Sequence, residues 1–127
     1  MSRASAGATV GTRRDRASSV VFVALVVLFG LLFAYDLFEA VTNLVSVPGQ
    51  ARYANNDFYA ENGLDGLVAS PPWFALIANV ALPPVAFIAA LVVVRRRPLP
   101  VVALVMLAGL AAVAALSLTI TAYVQSV

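Results

Sequence analysis

The amino-acid sequence predicts an all-α membrane protein, with three transmembrane helices in an antiparallel up-down-up bundle, N terminus in and C terminus out. Three observations carry this. Residues 17–35, 66–94 and 98–127 contain no charged side chain, against the roughly 20 apolar residues that a spanning helix needs. Only Arg95-Arg96-Arg97 and Pro98 join the second stretch to the third, and a link this short makes its two helices antiparallel neighbours. Seven of the eight Arg residues fall in the N-terminal tail or in that link, while the loop between the first and second helices holds only Arg52. The excess of positive charge near spans lies on the cytoplasmic side. Arg13, Arg14, Arg16, Arg95, Arg96 and Arg97 are therefore the topology determinants.

Composition excludes most alternatives. Hydrophobic residues make up 62% of the chain and charged residues 11%, too little polar surface to coat a soluble bundle of this size. The 127 residues leave room for one compact unit. Cysteine and histidine are both absent, which removes the thiolate and imidazole ligands of most transition-metal sites and the commonest general base. No catalytic residue, cofactor site or metal site is expected. The net charge of +2 comes from arginines placed beside apolar spans, so it marks orientation in a bilayer and not binding to nucleic acid.

Taken in order, residues 1–17 are rich in Ser, Ala, Gly, Thr and Arg without apolar periodicity, and a disordered cytoplasmic tail is expected there. Arg13-Arg14 before an apolar run has the look of a twin-arginine export signal, but Arg16 stands where such signals carry a bulky apolar residue. The run is also too long for a cleavable secretory signal. An uncleaved first helix over 19–47 is expected, stopped by Pro48-Gly49. The transmembrane domain then comprises 18–127, with an extracytoplasmic loop over 48–71, in which a short surface helix around 52–61 is allowed. Tyr53, Phe58, Tyr59, Trp73 and Phe74 gather near one membrane face as interfacial anchors. Helices over 72–94 and 99–124 follow, the latter opened by Pro98 and Pro100, where a missing N–H costs little.

A few positions break the apolar pattern. Asp36, Glu39 and Asn43 project within roughly 60° of one another on a helix of about 3.6 residues per turn. Counted from the ends of the spans, Asn79 and Ser117 reach a similar depth, so these five residues form a candidate polar cluster in the outer leaflet. Pro83-Pro84 deprives the carbonyls of Asn79 and Val80 of their helical partners, which predicts a kink and a place for Asn79 to bond locally or across to Asp36 or Glu39. The cluster is read first as interhelical glue at the helix exits, and second as an oxygen-rich pocket for a cation or polar ligand. By contrast, 20–29, 85–94 and 99–111 offer no side chain more polar than Met106. A proton or ion path needs polar groups or water along its length, so conduction through one protomer is not expected. Small residues four apart, Gly30 and Ala34, Ala108 and Ala112, and Ala111 and Ala115, permit close helix approach. They are assigned first to packing within the bundle and then to self-association or docking on a larger complex.

All eight basic residues are Arg, and Ala and Val are abundant. In this usage, in length and in layout the chain resembles the small multi-pass integral membrane proteins of unassigned function from high-GC Gram-positive bacteria. That resemblance bears on class alone and brings no motif with which to transfer a functional residue; the location expected is the plasma membrane, multi-pass. The expected partners are the lipid bilayer and either a membrane-protein partner or a second copy of the chain. The function expected is non-enzymatic, as an accessory subunit or homo-oligomer acting through helix-helix interaction. The alternative is an outward-facing binding or transport component for a cation or small polar ligand.

Overall fold

The computed structural model describes the backbone of residues 4–126 and the side chains of residues 15–126. Helix α1 runs over Ala4–Tyr53 and passes into a π-helical segment, Ala54–Ala60. A loop with a 3-10 turn at Asp65–Leu67 leads to α2, Trp73–Val94, and then α3, Leu99–Ser126. Among the described residues all regular structure is helical, and three helices are long and apolar enough to cross a membrane.

The second and third helices begin where proline permits. Pro72 stands just before Trp73, and its carbonyl accepts from the N–H of Leu76 at 3.1 Å. The Pro98 carbonyl likewise accepts from Val101 and Val102 at 3.0 and 3.1 Å. Neither proline has an N–H to leave unpaired, and the first turn of a helix is where that loss matters least. Helix α2 continues across Pro83-Pro84, with Pro83 buried.

Helix α1 departs from the sequence expectation at both ends. It begins at Ala4, inside the stretch expected to be a disordered tail, because extending an existing helix fixes one residue per added hydrogen bond and needs no new nucleus. Residues 1–3 lie outside the described residues, as do the side chains of Arg13 and Arg14. Nor does Pro48-Gly49 stop the helix: Pro48 sits inside α1 and is buried. A proline there removes one hydrogen bond and crowds the carbonyl of Leu44, a local cost that contacts further along the chain offset. The Asn55 side chain donates to the Ala69 carbonyl at 2.9 Å and accepts from the Ala69 N–H at 3.3 Å, pinning the loop against the helical extension. The extension ends in a Schellman turn, with Leu64 N–H to the Tyr59 carbonyl at 2.8 Å and Gly63 N–H to Ala60 at 3.3 Å. Gly63 supplies the positive φ of 68° that this turn requires.

Each of the three helices packs against the other two. Phe29 and Phe33 of α1, Ala90 and Val94 of α2, and Val102, Met106 and Val113 of α3 form one buried apolar cluster. Phe33 meets Phe87, which packs against this cluster, with ring centroids 5.4 Å apart and planes tilted by 47°. Two glycines border them. A Cβ at Gly30 would lie 3.4 Å from Phe87 Cζ, and one at Gly109 3.6 Å from Phe33 Cζ, ordinary van der Waals distances, so each ring packs directly beside a glycine.

The outward surface is apolar too. Val20, Leu31, Phe38, Val85, Val92 and Leu118 are each more than 60% exposed, an arrangement that water would penalise and hydrocarbon accepts. Ala108, Ala111, Ala112 and Ala115 are also exposed. This corrects their assignment to packing within the bundle: α3 turns Val102, Met106 and Val113 inward instead. The Gly30 and Ala34 pair is divided, with Gly30 against Phe87 and Ala34 exposed.

Candidate functional site

Polar side chains meet at the end of the bundle opposite the Arg95–Arg97 link. The last turns of α1, the first two turns of α2 and the last turns of α3 enclose a cleft of about 250 Å³. Its polar lining is Asn43, Ser46 and Gln50 of α1, Asn79 of α2, and Thr121 and Gln125 of α3. Spacing explains the convergence. Residues 43, 46 and 50 recur at intervals of three and four, and 121 and 125 stand four apart, so each set lies along one helix face. Val47, Leu76, Ile120 and Val124 complete the walls. The cleft therefore mixes apolar surface with carboxamides and hydroxyls, and none of its lining side chains carries a charge.

Asn79 is the deepest polar group. It is 2% exposed, and its Oδ1 is buried without a hydrogen-bond partner. An unsatisfied buried acceptor costs about 1 to 3 kcal/mol, so this oxygen has standing capacity for a donor. The proposed bond to Asp36 or Glu39 is not made among the described residues: Asp36 Oδ2 is likewise buried and unpartnered, and Glu39 is exposed.

The five residues of the sequence-based cluster thus separate. Asn43 and Asn79 line the cleft, whereas Asp36, Glu39 and Ser117 are not among its lining residues. Asp36 is half-buried on the inner face of α1, one turn from the buried Phe33 and Ala40, while Glu39 rotates out to the surface. Ser117 is half-buried on α3. Thr119 turns outward and donates back to the Ala115 carbonyl at 2.9 Å, satisfying its hydroxyl within its own helix. Among the described residues no group of three or more His, Cys, Asp or Glu side chains is placed to hold a metal ion.

Sequence reasoning missed Ser46, Gln50, Thr121 and Gln125. Ser46 and Gln50 flank the Pro48-Gly49 pair that was expected to end the helix, and polar residues near the end of a chain attract no notice. The available signal was the spacing of amides and hydroxyls at three and four along the ends of two spans. No protein-family model, curated protein or solved structure matches the chain.

The isolated acceptor on Asp36 has a measurable consequence. Replacing Asp36 by leucine removes a buried oxygen that nothing answers, and it breaks no hydrogen bond to Oδ2. The thermal midpoint of Asp36→Leu in a bilayer nanodisc is expected to equal or exceed that of the wild type, since unpaired polar groups cost more than the apolar groups that replace them. A fall of several degrees would mean that Asp36 is held by an interaction in the membrane.

Proposed function

We propose that the chain is a three-span, multi-pass plasma-membrane protein of bacterial type, non-enzymatic, acting through helix-helix contact as an accessory subunit or homo-oligomer. The helices run up, down and up, with the N terminus and the Arg95–Arg97 link in the cytoplasm and the long loop and C terminus outside. Packing supports the alternation. Phe33 stacks on Phe87 and Asn43 shares a cleft with Asn79, so rising numbers on α1 meet falling numbers on α2. Phe33 lies against Gly109 and Asn43 shares its cleft with Thr121, so α1 and α3 ascend together.

The observation that carries the function is the apolar closure of the arginine end. Phe22, Leu25, Phe29, Val94, Val102 and Met106 belong to one packed cluster there, and among the described residues that cluster holds no polar side chain to carry an ion or proton between the helices. A protomer built this way works through its surfaces. On α3 the exposed alanines at 108, 111, 112 and 115 allow another helix to approach closely, where van der Waals packing is the main attraction between helices in lipid.

Native mass spectrometry from a mild detergent tests this. The wild type is expected to leave the membrane as a multiple of its 13.3 kDa mass or bound to a larger membrane protein. Ala111→Ile with Ala115→Ile should return it to the single protomer without lowering its helical content. A wild-type protein that is monomeric and alone when extracted from its native membrane would sink the proposal.

A further inference from the structure

We propose that the cleft at the open end of the bundle binds a neutral polyhydroxy group, such as a sugar ring, presented by a glycolipid headgroup or free in water. Its chemistry follows from the lining. Asn43, Gln50, Asn79 and Gln125 are carboxamides, each with an acceptor oxygen and two N–H donors, and Ser46 and Thr121 add hydroxyls that do both. A partner that satisfies such a set must itself donate and accept at several points. Hydroxyl groups on a ring do this without bringing a charge that the lining could not neutralise.

Asn79 gives the site its buried anchor. The side chain is 2% exposed and lines the cleft, and its Oδ1 has no partner. Oδ1 is shielded as the cleft stands, so a hydroxyl donor that turned the carboxamide toward the cleft would recover a hydrogen bond whose desolvation has already been suffered in folding. Volume argues against a bare ion. About 250 Å³ is the space of roughly eight water molecules at about 30 Å³ each, far more than one ion with direct protein ligands fills.

A second hollow extends the first. It measures about 270 Å³, shares Val47, Gln50 and Val124 with the cleft, and adds Asn55, Tyr59 and Ser70 beneath the loop. Tyr59 contributes an aromatic body and a polar tip, and the apolar faces of sugar rings pack against such bodies while their hydroxyls meet amides. The second hollow thus adds one aromatic side chain to the polar lining of the first.

The test uses the full-length protein in phosphatidylcholine nanodiscs, with monoglucosyldiacylglycerol added as a minor lipid, or with methyl glucoside added to the buffer. Wild type is expected to show a higher thermal midpoint with at least one of these probes. A rise with the glycolipid alone assigns the group to a lipid headgroup, and a rise with methyl glucoside as well assigns it to a soluble sugar. Asn79→Leu should abolish the rise while keeping a midpoint in plain phosphatidylcholine no lower than that of the wild type, because no bond to Oδ1 is lost. Gln125→Ala, at the exposed rim, should weaken the rise at least several-fold in probe concentration and reports independently should Asn79→Leu misfold. Absence of a shift with both probes would overturn the proposal. So would a shift that both variants retain, or an equal shift with phosphatidylglycerol or with sodium or potassium chloride alone. None of these outcomes depends on whether the protein self-associates.

Discussion

Replacing Phe33 by alanine is expected to destabilise the bundle by about 2 kcal/mol, while replacing Leu31 by alanine should leave it unchanged within error. The two positions are one turn-half apart on α1 but face different surroundings. Phe33 is 3% exposed, meets the Phe87 ring at a tilt and lies beside Gly109, whereas Leu31 is 66% exposed. In water a Phe→Ala change in a core costs about 3 to 5 kcal/mol, part of it the transfer of apolar surface. Lipid tails are as apolar as the side chain, so that transfer contribution largely disappears and the lost dispersion contacts and the cavity remain. Steric-trapping or detergent-unfolding measurements in the same bilayer mimetic would read the difference. A large loss at Leu31, or none at Phe33, would mean that the helices pack on other faces.

Alkaline phosphatase joined after Val127 should be fully active, and the same enzyme joined within the Arg95–Arg97 link should be inactive. Alkaline phosphatase matures only on the outer side of the membrane, so its activity reports location directly. The force behind the expectation is the asymmetry of arginine, seven residues in the N-terminal stretch and the Arg95–Arg97 link against Arg52 alone between the first and second spans. Arg16, Arg95, Arg96 and Arg97 are all exposed, as charges that remain in the aqueous layer must be. An inactive fusion after Val127, expressed at a normal level, would invert the orientation, and the cleft would then open to the cytoplasm.

Particular residues explain what could be read early. The limits of α2 and the start of α3 were legible because Pro72, the Arg95–Arg97 run and Pro98 are strong local signals, and the observed helices, Trp73–Val94 and Leu99–Ser126, follow them. Pro48 misled because the rule that proline ends a helix describes an isolated segment. Here Pro48 is buried, and the Asn55 clasp on Ala69 and the Schellman turn at Gly63 hold the chain beyond it in helical form. The alanine pairs of α3 misled for a related reason. Spacing identifies a face of a helix, but it does not say whether that face turns toward the bundle or away from it.

The polar cluster divides along the same line. Asp36, Glu39 and Asn43 share a stripe on a bare helix, yet packing sets Asp36 inward, Glu39 outward and Asn43 into the cleft. Rotations of a few tens of degrees decide such matters, and in an apolar span no strong amphipathic signal fixes the rotation. Asn79 was noticed because an amide is rare within a span. Its companions Gln50 and Gln125 lie at helix ends, where amides are ordinary.

The amino-acid order by itself determined the helical class, the number of apolar rods, the limits of α2, the start of α3 and the asymmetry of charge, because each depends on local composition and on the cost of charge in hydrocarbon. Tertiary packing alone decided which faces meet, that the Phe87 and Phe33 rings lie beside Gly30 and Gly109, and that four amides from three helices surround one cleft. Those outcomes rest on contacts between residues far apart in the chain, whose geometry exists only once the helices have chosen their rotations about their own axes.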